Sequence, residues 1–213
     1  MLYKATALDE RASELSEKYF DDMSLKKGSI VENFFLLKYE DGHTEYDLSY
    51  EMSNTVNANN YQYVVGTLEN AAGETNHTKH TITIAPEYIH DDVILLHEII
   101  HVFEGLYSLR DPYENHFGDQ VEPCVYPFIR DALLICLYND LKTKIPDLDS
   151  RIIAHANIYS GVEIANQGGN HDILFYLKSL DLDLRLGYPL GTICGYGRDE
   201  YKAKNMTMEH EPN

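Results

Sequence analysis

The sequence predicts an α+β protein: a small, mostly antiparallel sheet packed on a helical block. Three observations carry that expectation. The order of patterns is one helix, several short strands, then helices only. Strand segments such as Thr81-Ile82-Thr83-Ile84 alternate polar and apolar, whereas segments downstream place apolar residues three and four apart. Apolar residues make up 44% of a 213-residue chain, enough to fill the core of one large domain.

Each element has its own signal. Leu8, Ala12, Leu15, Tyr19 and Met23 recur at helical spacing among charges, so residues 8–23 read as an amphipathic helix closed by Lys27-Gly28. Two segments rich in aromatic and branched residues, 30–39 and 44–52, flank Asp41-Gly42 and predict a β-hairpin. Residues 61–68 read as a strand, 70–77 as a loop, and 80–84 as a strand stopped by Pro86. Asp91 or Asp92 can cap a long helix running to about Tyr107. The next helix starts between Glu122 and Pro127, where proline suits a first turn, and runs to about Lys142. A short helix over 149–159 follows Pro146. After the Gly168-Gly169 break, residues 171–185 form a helix with Ile173, Leu174, Leu177, Leu180 and Leu184 on one side, and His171 as its cap. The expected organisation is a helix-and-hairpin extension over 1–60, a core over 61–145 and a helical extension over 146–213 packed on that core.

Lys and Arg number 17 against 35 Asp and Glu, a formal charge of −18. Such a surface repels phosphate backbones and anionic lipid, so neither nucleic acid nor membrane is an expected partner. A peptide or protein substrate is electrostatically acceptable. Cys124, Cys136 and Cys194 form no close pair and read as free thiols. The first ten residues turn acidic too early for a signal peptide, and no apolar run approaches the ~18 residues of a membrane span. The expected location is the cytoplasm.

His97-Glu98-Ile99-Ile100-His101 is an HExxH motif. Four residues is slightly more than one helical turn, so both imidazoles leave one face and can grip one ion, with zinc the expected one. Glu98 lies about 100° round the helix, beside the ion, where a general base toward an activated water is needed. Val93, Ile94, Leu95, Leu96, Val102, Phe103 and Leu106 surround the motif almost without a polar break. Three polar side chains in so apolar a helix are costly unless something satisfies them, and a metal does so. A catalytic zinc needs a third protein ligand. Tyr107, six residues after His101, cannot fill that place. Glu122, at a helix start, is favoured on position, ahead of His116 and then Asp119. His77 and His80 read as surface residues, and Tyr88, Tyr107 and Tyr113 as candidates to bond an oxyanion.

Leu95-Leu96-His97-Glu98-Ile99-Ile100-His101 resembles the active-site helix of small gluzincins, among them ImmA/IrrE-like and SprT-like proteins of phages and bacteria. Glu122-Pro123-Cys124-Val125, followed by Asn139-Asp140, is similar to the phage pattern in which a glutamate opens the ligand helix. The resemblance spans about residues 61–142. It implies a zincin-like fold, His97, His101 and Glu122 as zinc ligands, Glu98 as catalytic base, and peptide-bond hydrolysis. SprT-like proteases use a third histidine at a spacing close to that of His116. Two rival expectations stand beside the peptidase: a zinc-binding regulatory or phage effector module that does not cleave, and a hydrolase of a non-peptide amide.

Overall fold

The computed structural model describes residues 3–4, 6–22, 61–69, 71–107, 126–159 and 171–195. Along the chain lie β1 (Tyr3–Lys4), α1 (Thr6–Tyr19), β2 (Gln62–Val65), β3 (Gly73–Asn76), β4 (Thr81–Ile84), α2 (Asp92–Tyr107), α3 (Tyr126–Lys142), α4 (Leu148–Tyr159) and α5 (Ile173–Leu186), with a 3-10 turn at Pro86–Tyr88. The class is α+β, as expected. The hairpin expected over 30–52 lies outside the described residues.

The sheet order is β1-β2-β4-β3. β1 with β2 and β3 with β4 are antiparallel, but β2 with β4 is parallel. The sheet is thus mixed, and mostly antiparallel as expected, with one parallel pair at its centre. The chain leaves β2, forms β3 at the edge and doubles back, which brings β4 between them in the direction of β2. The residues 70–77 were expected to be loop, yet contain β3. Gly73-Glu74-Thr75-Asn76 has no apolar alternation because β3, an outer strand among the described residues, buries little. β4, in contrast, alternates as predicted and buries Ile82 and Ile84.

α1 ends at Tyr19, short of the expected 23. Asp21 and Asp22 are drawn out of the helix as ion partners of Arg185 and Lys178 on α5. Its Leu8, Ala12 and Leu15 are buried, and Phe20 stacks on Phe103 of α2 with ring centroids 5.0 Å apart. The Arg11 guanidinium also pairs with Asp92 at the start of α2. α2 begins as predicted, with the Asp91 carboxylate accepting from the Val93 amide at 2.9 Å. Ile94, Leu95, Leu96, Ile99, Ile100, Val102 and Phe103 are all buried. Each such side chain contributes about 1.5–3 kcal/mol relative to exposure. Hence α2 is the central element, covered by α1, the sheet, α3 and α5.

The apolar side expected of α5 is corrected in part. Leu174, Leu177 and Leu180 are buried, but Ile173 and Leu184 are exposed, and Phe175, Tyr176 and Leu182 join the core instead. One hydrophobic cluster runs from Leu8 through Tyr63, Ile82, Leu133 and Leu148 to Ile193. The described parts of all three expected segments therefore share a core. Among the described residues no helix is long and apolar enough to cross a membrane.

Candidate metal centre

α2 is buried on most sides, so the polar residues of its HExxH turn point inward. His97, Glu98 and Glu104 are almost fully buried, and His101 is buried. His97 and His101 project from one face, their rings 5.0 Å apart. The third imidazole beside them is His171, which immediately precedes the cap of α5. One nitrogen from each of His97, His101 and His171 lies within 4.8 Å of the others, so the trio can hold a metal ion. The Nε2 atoms of His97 and His171 are 3.0 Å apart. Nitrogens around a tetrahedral zinc sit about 3.3 Å apart, so this pair is close to ligating geometry.

Both helix histidines are fixed through their other nitrogen. Nδ1 of His97 lies 2.9 Å from the carbonyl oxygen of Ile193. A carbonyl only accepts, so Nδ1 carries the proton and Nε2 presents a lone pair. Nδ1 of His101 likewise lies 2.8 Å from Oε2 of Glu104. Such hydrogen bonds from a ligand's far nitrogen orient the ring and set its tautomer. Oε1 of Glu104 also accepts from the Asp172 amide at 3.2 Å, tying α2 to the residue after His171. Phe175 forms the floor, with its ring centroid 4.7, 4.5 and 4.4 Å from those of His97, His101 and His171.

His171 is held from several sides. Its φ of 45° is left-handed, a conformation that a non-glycine residue keeps only where its surroundings impose it. His155 lies with Nε2 2.7 Å from the His171 carbonyl and stacks on Tyr176. The expectation that His171 caps α5 is corrected here. Asp172 is the cap, accepting from the Phe175 amide at 2.9 Å while also pairing with Arg130 of α3 at 2.6 Å. An aspartate accepts from helix amides more readily than an imidazole, which leaves the histidine ring to turn toward α2.

Burial, and then the neighbouring charges of His101 and His171, push His97 well below the usual histidine range. His171 is pushed down to about 3, by burial first and then by His101 and His155. Both are thus neutral near pH 7, the form in which imidazole binds metal. Each gains a proton on unfolding below about 6.5, so the stability of metal-free protein falls as pH falls through that value. Each proton taken up steepens the fall by at most about 1.4 kcal/mol per pH unit. Denaturant midpoints in chelator should therefore drop between about pH 7 and 5.5, and His171→Gln should flatten that drop.

Glu98 faces the edge strand. The Thr75 hydroxyl donates to its Oε2 at 2.8 Å and also lies 3.1 Å from its carbonyl oxygen. Gly73 makes room for it, since a Cβ there would stand 2.6 Å from Oε1 and 2.7 Å from Cγ. Gly73→Ala should displace the carboxylate and cut any hydrolysis rate at least about ten-fold, while zinc content and melting temperature change little. Loss of zinc in that variant would show instead that the strand supports the ligands.

The chain matches no protein-family model, no curated protein and no solved structure.

The structure brings together three expected site residues, His97, Glu98 and His101. Glu122, His116 and Asp119 lie outside the described residues, as does Tyr113. His80 is exposed, but His77 is only partly so, its Nδ1 3.0 Å from the Tyr61 hydroxyl. Tyr88 is exposed on the 3-10 turn. Gly73, Thr75, Glu104, Asp172 as cap, and His171 as a neighbour of the motif were not expected from the sequence. Glu104 had a readable signal: it continues the stripe of His97 and His101 at helical spacing in an otherwise apolar segment.

Proposed function

We propose that the chain is a zinc-dependent metallopeptidase whose ion is held by His97, His101 and His171. The donor set fits. Three imidazoles leave a fourth position open, as catalytic zinc sites do, and two of them have hydrogen-bonded Nδ1 atoms. Glu98 and Glu104 are buried acidic side chains on the helix that carries His97 and His101, and a divalent cation offsets negative charge placed on them. When bound, zinc supplies a Lewis acid that polarises a carbonyl and makes water a nucleophile near neutral pH.

The observation that carries the catalytic reading is Glu98. A metal site with only a structural role has no use for a buried carboxylate one residue along from a ligand and held by its own strand residues. Here Glu98 takes a proton from the attacking water and later delivers it to the leaving amine. A zincin-like fold accords with the order of sheet, edge strand and HExxH helix. Histidine in the third position departs from the ligand set that the gluzincin resemblance implies.

β4, which ends at Ile84, is paired on both sides and offers no free edge to an extended substrate. Among the described residues β1 and β3 are the two outer strands, and β3 is the one that carries Thr75 against Glu98, so an extended peptide would add along β3. Metal analysis of purified protein, followed by digestion of a mixed peptide library with and without chelator, tests the reading. The expected result is about one zinc per chain and chelator-sensitive cleavage. Zinc without cleavage would favour the regulatory module.

A further inference from the structure

Asp183 lies near the C-terminal end of α5 and is fully buried. Both its carboxylate oxygens are engaged by the turn that follows the helix. Oδ2 accepts from the Gly191 amide at 2.7 Å and Oδ1 from the Ile193 amide at 3.0 Å. The turn is also braced by the Thr192 hydroxyl, which donates to the Pro189 carbonyl at 2.6 Å, and by the Gly195 amide on the Gly191 carbonyl. Gly191 has φ 91°, a conformation that other residues rarely adopt. The Ile193 amide is thus held from one side, and the Ile193 carbonyl is left 2.9 Å from Nδ1 of His97.

We propose that Asp183 is a positioning residue for the metal centre: it fixes the 191–193 turn so that the Ile193 carbonyl holds His97 as the tautomer whose Nε2 faces His101 and His171. The inference rests on the metal-site reading above and deepens it. The Gly191 and Ile193 amides meet different oxygens of Asp183, so in this turn both oxygens have to be acceptors. A carboxylate supplies both. Asparagine supplies one and turns an N–H₂ group against the other amide, so the turn must shift. The His97 ring then loses the acceptor that selects its tautomer, and ligand orientation suffers with it.

The test compares Asp183→Asn with Lys178→Met as a control. Lys178 is a second fully buried charge on α5, paired with Asp22 and Asp181 and remote in its partners from the turn. Two quantities are read on each protein: the tautomer of His97, from long-range proton–nitrogen correlations on metal-free protein with ¹⁵N-labelled histidine, and zinc affinity by chelator competition. The wild type should show Nδ1-protonated His97. Asp183→Asn should show mixed tautomers and zinc affinity lower by about 10–100-fold. Lys178→Met should lose stability but keep both site readouts.

A folded Asp183→Asn with wild-type tautomer and affinity overturns the proposal. So does an equal change in Lys178→Met, which would mean general loosening of α5. Should Asp183→Asn fail to fold, Gly191→Ala strains the same turn without altering the carboxylate and must give the same tautomer change. A wild-type tautomer in that variant also overturns it. If the wild type binds no zinc, the metal reading fails, while the tautomer of metal-free protein still decides the role of Asp183.

Discussion

Replacing His171 by alanine is expected to strip zinc from the protein on dialysis against a weak chelator. Two imidazoles on one helix turn hold zinc far more weakly than three. The affinity loss should exceed the roughly 10–100-fold seen when a residue that merely orients a ligand is removed. His171 is also the ligand candidate that joins α5 to α2, so metal bound only to the folded state adds stability there by mass action. With free zinc at about 100 times the dissociation constant, the wild type gains about 2.7 kcal/mol, and His171→Ala should gain almost none. Its melting temperature should then no longer respond to added zinc, while its metal-free stability stays close to that of the wild type. Glu122→Ala and His116→Ala are expected to retain zinc, because in the proposed site His97, His101 and His171 complete the protein's share of the ligands. If Glu122→Ala instead lost zinc and His171→Ala kept it, His171 would be a neighbour and not a ligand. The ligand set implied by the gluzincin resemblance would then stand.

The position of His171 explains why so much of the site was hidden while the helix that anchors it was plain. α2 was legible because its signals are local: an aspartate start, an unbroken apolar face and a five-residue motif. β4 was legible for the same reason, with Ile82 and Ile84 alternating against threonines. Parallel pairing of β2 with β4 is not local, since it depends on where β3 goes, and β3 is too polar to announce itself. His171 stands 70 residues from His101, and nothing in its neighbours' periodicity ties it to α2. What ties it is geometry: α5 packs on α2, Asp172 takes the cap, and Glu104 reaches the Asp172 amide. A polar residue beside a helix start has two readings, cap or site, and the adjacent aspartate resolves it. Two acceptable caps in sequence are a hint that one of them is spared for another task.

Glu98→Gln is expected to abolish cleavage while leaving zinc in place. Glutamine matches glutamate in volume, so the close packing against Gly73 survives, and its carbonyl oxygen still accepts from the Thr75 hydroxyl. What it lacks is basicity, and loss of a positioned general base lowers turnover by about 10²–10⁴-fold. Zinc content and melting temperature should match the wild type, which separates this variant from His171→Ala. The chemistry also dictates a graded comparison. Gly73→Ala keeps the carboxylate but moves it, so it should retain a pH-dependent residual rate, whereas Glu98→Gln should retain none attributable to a base at this position. Turnover by Glu98→Gln at the wild-type rate would mean that the proton travels by another group. Glu98 would then be a strand-to-helix contact, and the peptidase reading would lose the residue on which it rests.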